Sequence, residues 1–303
     1  MNITFLGTSS SAPTKNRNLS GTIVSFKGKN YLFDCGEGTQ QQLMKAKVSY
    51  MKINEVFLSH LHGDHVFGLP GLLASMNLHK RDFTLTIFGP KGTKNLMKTI
   101  SKLNERKLLF EVIVKEVEKS GKVFEDENVL VKAFKVNHTV TCFGYKLEEV
   151  IKTKGKFLRE KAIALGVEPG PLFKKLHEGK SVKVKGKTIK PSQVLDFSKA
   201  KKGKSVSYVV DSIVKGNYLN AVKGSSVLVH EACFTEKHAG RARDTKHSTA
   251  KMAAKLARKA KVGKLFLTHF SNRYKKLDEL LNEAKKEFNE SHLAKDLMEV
   301  KVE

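Results

Sequence analysis

Short apolar and β-branched runs punctuated by Gly, Asn and Asp predict a mixed α/β fold with a large strand share. Between these runs lie stretches whose apolar residues recur at three- and four-residue steps, the mark of helices with one buried face. A chain of 303 residues, 40% hydrophobic and 28% charged, has material for one large or two modest globular domains, which excludes a disordered or fibrous protein.

The strands come first. Ile3–Leu6, Thr22–Phe26, Tyr31–Phe33, Val56–Leu58 and Thr84–Phe88 are each short, apolar and bounded by turn formers. Helices are predicted at about Val66–Leu78 and Thr93–Asn104. Leu109–Lys146 reads as mostly extended. Strands and helices then alternate to a last helix over Lys275–Glu290, which places Leu277, Leu280, Leu281 and Ala284 on one face. No apolar run approaches the roughly 20 residues of a membrane span. The best, Val66–Leu78, is interrupted by Gly, Pro, Ser and Asn. The first residues lack the basic region of a signal peptide, and three widely spaced cysteines, Cys35, Cys142 and Cys233, suit a reducing compartment. The cytoplasm is the expected location.

Charge points to a partner. Fifty-six Lys and Arg against 30 Asp and Glu give +26, which favours a polyanion, nucleic acid before an anionic membrane surface. The excess is uneven. Residues 151–204 hold 16 Lys and Arg against 4 Asp and Glu, with the turn-rich Gly166-Val-Glu-Pro-Gly-Pro171 at their centre. This segment is expected to be an insertion in the main fold; a solvated basic loop is the other reading.

The densest chemical signal is Ser59-His-Leu-His-Gly-Asp-His65, directly after an apolar run. Side chains two apart on an extended segment share a face, so His60 and His62 can grip one metal. Gly63 lets the chain turn, and Asp64 and His65 point elsewhere, as a second ligand set requires. Two metals about 3.5–4 Å apart form a geometry that activates water for hydrolysis. Further ligands are sought at the ends of other apolar runs: His138, Asp211, His230-Glu231 and His269. A carboxylate has two oxygens and can serve both metals, whereas a neutral imidazole cannot. His60, His62 and His138 are therefore assigned to one metal, Asp64, His65 and His269 to the other, and Asp211 to both. Imidazole with carboxylate suits zinc, and also manganese or iron.

With these motifs in place the chain resembles the ribonuclease Z family of the metallo-β-lactamase superfamily over nearly its whole length. His60–His65 is the superfamily's HxHxDH signature. Pro13-Thr-Lys-Asn-Arg-Asn18 is similar to the family's PxKxRN loop, His230-Glu-Ala-Cys233 to its HEAT loop with Cys at the usual Thr position, and His247-Ser-Thr249 to its HST loop.

The resemblance implies an αββα four-layer sandwich carrying an inserted basic flexible arm, at about 151–204, that grasps tRNA. It implies a two-zinc endoribonuclease that removes the 3′ trailer of precursor tRNA and acts as a homodimer. It also assigns roles. Asp64 would accept the nucleophile's proton while ligating metal, and His247, oriented by Glu231, would protonate the leaving oxygen. Lys15, Arg17, Ser271 and Arg273 would contact phosphates, and Gly166, Pro169, Gly170 and Pro171 would belong to the arm's tRNA contact. Plainer readings stay open: a polar turn at 13–18, a helix-start histidine at 247, a surface arginine at 273. His79, His177, His238 and His292 receive no role. The alternative function is hydrolysis of a small ester, thioester or sulfate on the same fold, a chemistry that makes no use of the insertion's positive charge.

Overall fold

Two seven-stranded sheets carry the larger of two units in a computed structural model that describes residues 1–103, 107–151, 155–196 and 203–303. The units are Met1–Glu149 with Lys204–Glu303, and Val150–Gly203.

In the first sheet the strand order is Glu299–Lys301, Asn2–Gly7, Gly21–Phe26, Lys29–Phe33, Ile53–Phe57, Leu85–Pro90, Val112–Val117. Pairing is antiparallel as far as Lys29–Phe33 and parallel beyond it. The second runs Ser291–Leu293, Lys264–Thr268, Val227–Glu231, Ser205–Val209, Cys142–Glu149, Val129–Val136, Gly121–Glu125. Its first four strands are parallel, and its last three join antiparallel.

Alternation along each strand makes the layers. Phe33, Phe57 and Phe88 of the first sheet pack on Tyr145, Tyr208 and Phe266 of the second, in one core that includes Phe5, Val131 and Val229. Phe33 and Tyr208 have ring centroids 5.5 Å apart across the two sheets. Residues of opposite parity face helices. Leu32, Val56 and Ile87 pack with Leu43, Leu72, Met76 and Met97, from helices Thr39–Lys45, Leu69–Leu78 and Thr93–Leu103. Val209, Leu228 and Leu267 pack with Ala253, Leu256, Ala257, Leu280 and Ala284, from helices Ala250–Ala260 and Asp278–Glu287. The result is helix, sheet, sheet, helix.

The helix predicted over Val66–Leu78 is broken into Gly63–Val66 and Leu69–Leu78. At the break the Gly68 backbone docks on 35–36, its N–H donating to the Cys35 carbonyl at 2.9 Å, and a Cβ there would meet the Gly36 oxygen at 2.1 Å. The last helix starts three residues later than the periodicity suggests, at Asp278.

Val150–Gly203 is not a solvated loop. Its scattered apolar residues Ala162, Val167, Leu176, Val182, Ile189 and Val194 form a core of their own. Helices Arg159–Ala164, Pro171–His177 and Pro191–Val194 surround a hairpin of Val182–Val184 with Lys187–Ile189. The hairpin turns through Lys185 and Gly186, both at positive φ (47° and 77°), the conformation a tight two-residue turn requires.

One inward group bears on stability. Glu55, in the strand Ile53–Phe57, has a buried Oε2 with no hydrogen-bond partner among the described residues. Burial pushes its carboxyl up to about 7, against Lys29 and with Asp126. The folded state thus prefers neutral Glu55, and that contribution is lost as pH rises from the unfolded carboxyl range through about 7. Urea denaturation of Glu55→Gln should show a gain of about 1–2 kcal/mol over the parent at pH 8 that shrinks at pH 5. An equal gain at both pH values would contradict the assignment.

Candidate active site and metal centre

Parallel strands bring their carboxyl ends to one edge of each sheet, and the predicted ligands sit there. His60 and His65 follow Ile53–Phe57, His138 follows Val129–Val136, Asp211 follows Ser205–Val209, and His269 follows Lys264–Thr268. Asp211 and His269 leave their strands in the left-handed region, at φ 45° and 56°. Such conformations cost of order 1–3 kcal/mol outside glycine and persist where the surroundings fix them.

All seven predicted metal ligands come together. His60, His62, His138 and Asp211 each offer a ligand atom within 4.8 Å of the others, and so do Asp64, His65 and His269. Asp211 faces both groups. Its Oδ2 lies 3.5 Å from Nε2 of His60 and 3.5 Å from Nε2 of His138, while Oδ1 lies 3.3 Å from Nε2 of His65 and 2.9 Å from Nε2 of His269. Asp64 Oδ2 is 3.4 Å and 3.6 Å from Nε2 of His65 and His269. Among the described residues, Nε2 of His65, Nε2 of His269 and Oδ1 of Asp211 are buried without a hydrogen-bond partner. Buried polar atoms that converge in this way are costly unless something satisfies them, and a divalent metal ion fits.

Protonation divides the imidazoles. Burial lowers His138 to about 4 and lowers His60, with further repulsion from His65, so both rings offer neutral nitrogens. Burial also opposes charge on His65 and His269, yet Asp211 with Asp34, and Asp211 with Cys233, raise them well above the ordinary range. Asp64 and Asp211 are held well below the carboxylate range despite burial, by attraction to these rings. A metal entering beside His65 and His269 must displace their protons. Asp64 Oδ2 faces both of these rings and also accepts the Ser11 N–H at 2.9 Å, which fits its expected place as a ligand.

Asp34 is the functional residue that motif reading missed. Fully buried, at φ 55° after Lys29–Phe33, it accepts from the Ser59 N–H at 2.7 Å, the Ser59 hydroxyl at 2.9 Å and the Tyr208 hydroxyl at 2.9 Å. Its Oδ2 is also 2.8 Å from Nδ1 of His65, and Ser59 Oγ is 2.9 Å from Nδ1 of His60. With Nδ1 held by these partners, both rings would present Nε2 to a metal once it displaces any proton there. The signal was present, an Asp closing the run Tyr31-Leu-Phe33, the same pattern that singled out Asp211.

Beside the ligands, Glu231 is fully buried at the end of Val227–Glu231. Its Oε1 is 3.0 Å from Nδ1 of His247 and accepts the Ser212 N–H, and its Oε2 accepts the Ser248 N–H at 3.0 Å. Burial opposes charge on His247, but Glu231 and then Cys233 outweigh it and the ring is pushed up to about 11. His230 has the opposite parity and faces the helices, with Nε2 2.9 Å from the Tyr218 hydroxyl and Nδ1 2.7 Å from the Glu231 carbonyl. It is a satisfied core histidine.

The predicted substrate contacts divide. Lys15 and Arg273 are exposed, Arg273 with its guanidinium 5.3 Å from the Phe234 ring, and Ser271 is half-buried beside it. Arg17 does not offer its guanidinium freely, against expectation. It donates to the carbonyls of Ser271 (3.4 Å) and Tyr274 (3.0 Å), because the 13–18 turn packs on that loop, and it works as a clamp between them. Gly166, Pro169 and Gly170 lie in the other unit, in the turn joining its first two helices, and Pro171 opens the second of these.

Residues 1–156 match a family model described as Anti-Pycsar protein Apyc1. The ribonuclease Z of Methanosarcina mazei is 43% identical over 304 residues, covering 100% of this chain and 98% of that one. The chain belongs to the ribonuclease Z family. The Apyc1 model covers only the part with HxHxDH and His138, whereas the ribonuclease Z match also spans the basic unit and the strand ends at 211, 231 and 269. Human tRNase Z, short form, superposes with a TM-score of 0.73 at 27% identity over 100% of both chains. The metallo-β-lactamase fold protein YhfI from Bacillus subtilis superposes at 0.70, with 20% identity over 99% of this chain and 98% of that one. The metallo-β-lactamase sandwich expected from the sequence is therefore the fold of this ribonuclease Z family member.

Removing the carboxylate that orients His65 and His60 should cost metal affinity rather than fold. Asp34→Asn is expected to weaken metal binding about 10–100-fold, measured by competition with a chromophoric chelator. Unchanged affinity in a folded variant would remove Asp34 from the site.

Proposed function

We propose that the protein is a zinc-dependent endoribonuclease that removes the 3′ trailer of precursor tRNA. The products are a 3′-hydroxyl on the tRNA and a 5′-phosphate on the trailer. The observation that carries this reading is Asp211, whose two oxygens face two separate ligand groups in a chain related to ribonuclease Z along its entire length. In this reading two zinc ions are held, one by His60, His62 and His138 and one by Asp64, His65 and His269, with Asp211 shared. When bound they supply an activated water and neutralise charge on the phosphate oxygens.

The chain's own residues do the rest. His247 carries the proton for the departing 3′ oxygen. Its Nδ1 is fixed on Glu231 Oε1, which leaves Nε2 for the substrate, and a ring pushed up to about 11 is protonated at neutral pH. Arg273 and Lys15, exposed on neighbouring loops, supply charge for the phosphates next to the scissile one. Arg17 holds those loops together. The unit Val150–Gly203, with +12 over 151–204, takes the role of the arm that binds the tRNA body, with the turn at Gly166–Pro171 as its contact. A cytoplasmic homodimer completes the proposal. Phe67 and Leu78 are 65% and 74% exposed at the two ends of helix Leu69–Leu78, and Met44, 64% exposed, lies on helix Thr39–Lys45, which is bonded to it through Gln40 and Ser75. Apolar surface of this kind is suited to a second copy of the chain. No helix among the described residues is long and apolar enough to cross a membrane.

The deciding experiment incubates the protein with end-labelled precursor tRNA carrying a 3′ trailer. A single cut after the discriminator nucleotide is expected, abolished by chelation and in Asp64→Ala, and reduced about 10²–10⁴-fold in His247→Ala. Tight tRNA binding with no cut by metal-loaded protein would turn the reading toward another nucleic acid. In pH profiles activity should fall as pH rises through the His247 pKa, and Glu231→Gln should move that alkaline limb down by one to two units, on the order of a lost ion pair. An unmoved limb would mean that another group supplies the proton.

Replacing Val150–Gly203 with a short linker should weaken tRNA binding far more than cleavage of a small phosphodiester. Equal loss of both would make the unit part of the catalytic body.

A further inference from the structure

Cys233 and its neighbours form a donor cluster that the cleavage reaction does not use as one. Ligand atoms of Glu231, Cys233, His247 and His269 all lie within 4.8 Å of one another. The Cys233 sulfur is 3.5 Å from Nδ1 of His247 and 3.3 Å from Nδ1 of His269, and His247 Nδ1 is 3.0 Å from Glu231 Oε1. Zinc bonded to nitrogen at about 2.0–2.1 Å and sulfur at about 2.3 Å sets the edges of its ligand tetrahedron near 3.3–3.7 Å. The Cys233–His247 separation already has that spacing, and the Glu231–His247 separation is a few tenths of an ångström shorter.

We propose that Glu231, Cys233 and His247 form a third metal site, for a thiophilic divalent cation such as cadmium or zinc in excess, and that filling it switches the enzyme off. The fourth position falls to water, because His269 already directs Nε2 at Asp211 and a neutral imidazole has one lone pair to give. At present the Cys233 sulfur donates to the His269 carbonyl, 3.0 Å away, and Glu231 Oε1 lies against His247 Nδ1. In the filled site the Glu231 carboxylate and the Cys233 thiolate would compensate the dication, and the protons displaced from the Cys233 sulfur and from His247 Nδ1 would leave to water. The cation reaches the site along His247, whose side chain is 13% exposed. Sulfur sets the selectivity. A thiolate prefers cadmium and zinc to magnesium or manganese, whereas a threonine in its place would offer only a hard hydroxyl.

Inhibition rests on the reading of His247 as the proton carrier; occupancy does not, and the two are measured separately. Protein already loaded at its main centre is titrated with cadmium and followed by ultraviolet absorption and by bound metal per chain. One further equivalent should bind with a thiolate-to-cadmium charge-transfer band, absent in Cys233→Thr and Cys233→Ser and retained in Cys35→Ser and Cys142→Ser. The same excess should slow precursor tRNA cleavage by about 100-fold or more, the scale of a lost proton donor, and leave Cys233→Thr nearly untouched. A band that survives in both Cys233 variants, or wild-type inhibition without a band, would overturn the site. The band with no effect on cleavage would keep the site and refute its inhibitory role. If precursor tRNA is not a substrate, the band and the stoichiometry still decide occupancy.

Discussion

Asp211 is 3% exposed, and the interior around it is arranged so that one buried carboxylate meets imidazoles on two sides. Removing such an ion from water costs on the order of several kcal/mol, recovered only when each oxygen has cationic or hydrogen-bonding company. His60 and His138 flank one oxygen, His65 and His269 the other. These four rings come from three strand ends in two sheets, so the sheets must stack with their carboxyl edges together. The aromatic core under the site holds that stacking, and it shares a residue with the site. Tyr208 packs on Phe33 between the sheets while its hydroxyl reaches Asp34.

Much of this was legible in residue order because strands that end in a polar residue are conspicuous. Val56-Phe-Leu58 before His60, Tyr208-Val-Val210 before Asp211 and Phe266-Leu-Thr268 before His269 each announce a side chain delivered to an edge. Asp34 follows the same rule and was passed over, since the Cys-Gly after it suggests a turn, where Asp is common for local reasons. His230 was drawn in by the rule, but its parity sends it to the helices while Glu231, one residue on, faces the site. Arg17 shows another limit. A motif identifies a basic residue, but only packing reveals that the loop at 271–274 takes up its donors.

The basic unit shows why composition misleads about order. Over Ile151–Lys204 the apolar residues are too sparse for helical or strand periodicity to stand out, and charge dominates the reading. Six buried apolar residues still suffice for a core once a hairpin and short helices bring them together, since each such segment has only one face to bury. The described lysines of the unit remain on the outside because nothing in so small a core could pair with them. A patch of positive charge on a folded unit follows without any sequence motif, and phosphate backbones are recognised by charge and spacing rather than by base identity.

One residue type does three jobs in this site, and the distance and number of carboxylates around each ring, set against burial, decide which. His138 is farther from Asp211 than His269 is, 3.5 Å against 2.9 Å, and burial prevails, so it stays neutral and ready to ligate. His65 lies between Asp34 and Asp211 and holds a proton that a metal must displace. His247 has Glu231, a carboxylate kept away from Asp211's ligand groups by its hydrogen bonds to Ser212 and Ser248. On the function proposed above, its proton would survive metal loading and serve the cleavage step. That separation is only one side chain deep, because Cys233 touches both His247 and His269. A soft cation that exploits the contact would turn the proton carrier into a ligand, which is the physical reason a sulfur at this position alters how the site responds to metals.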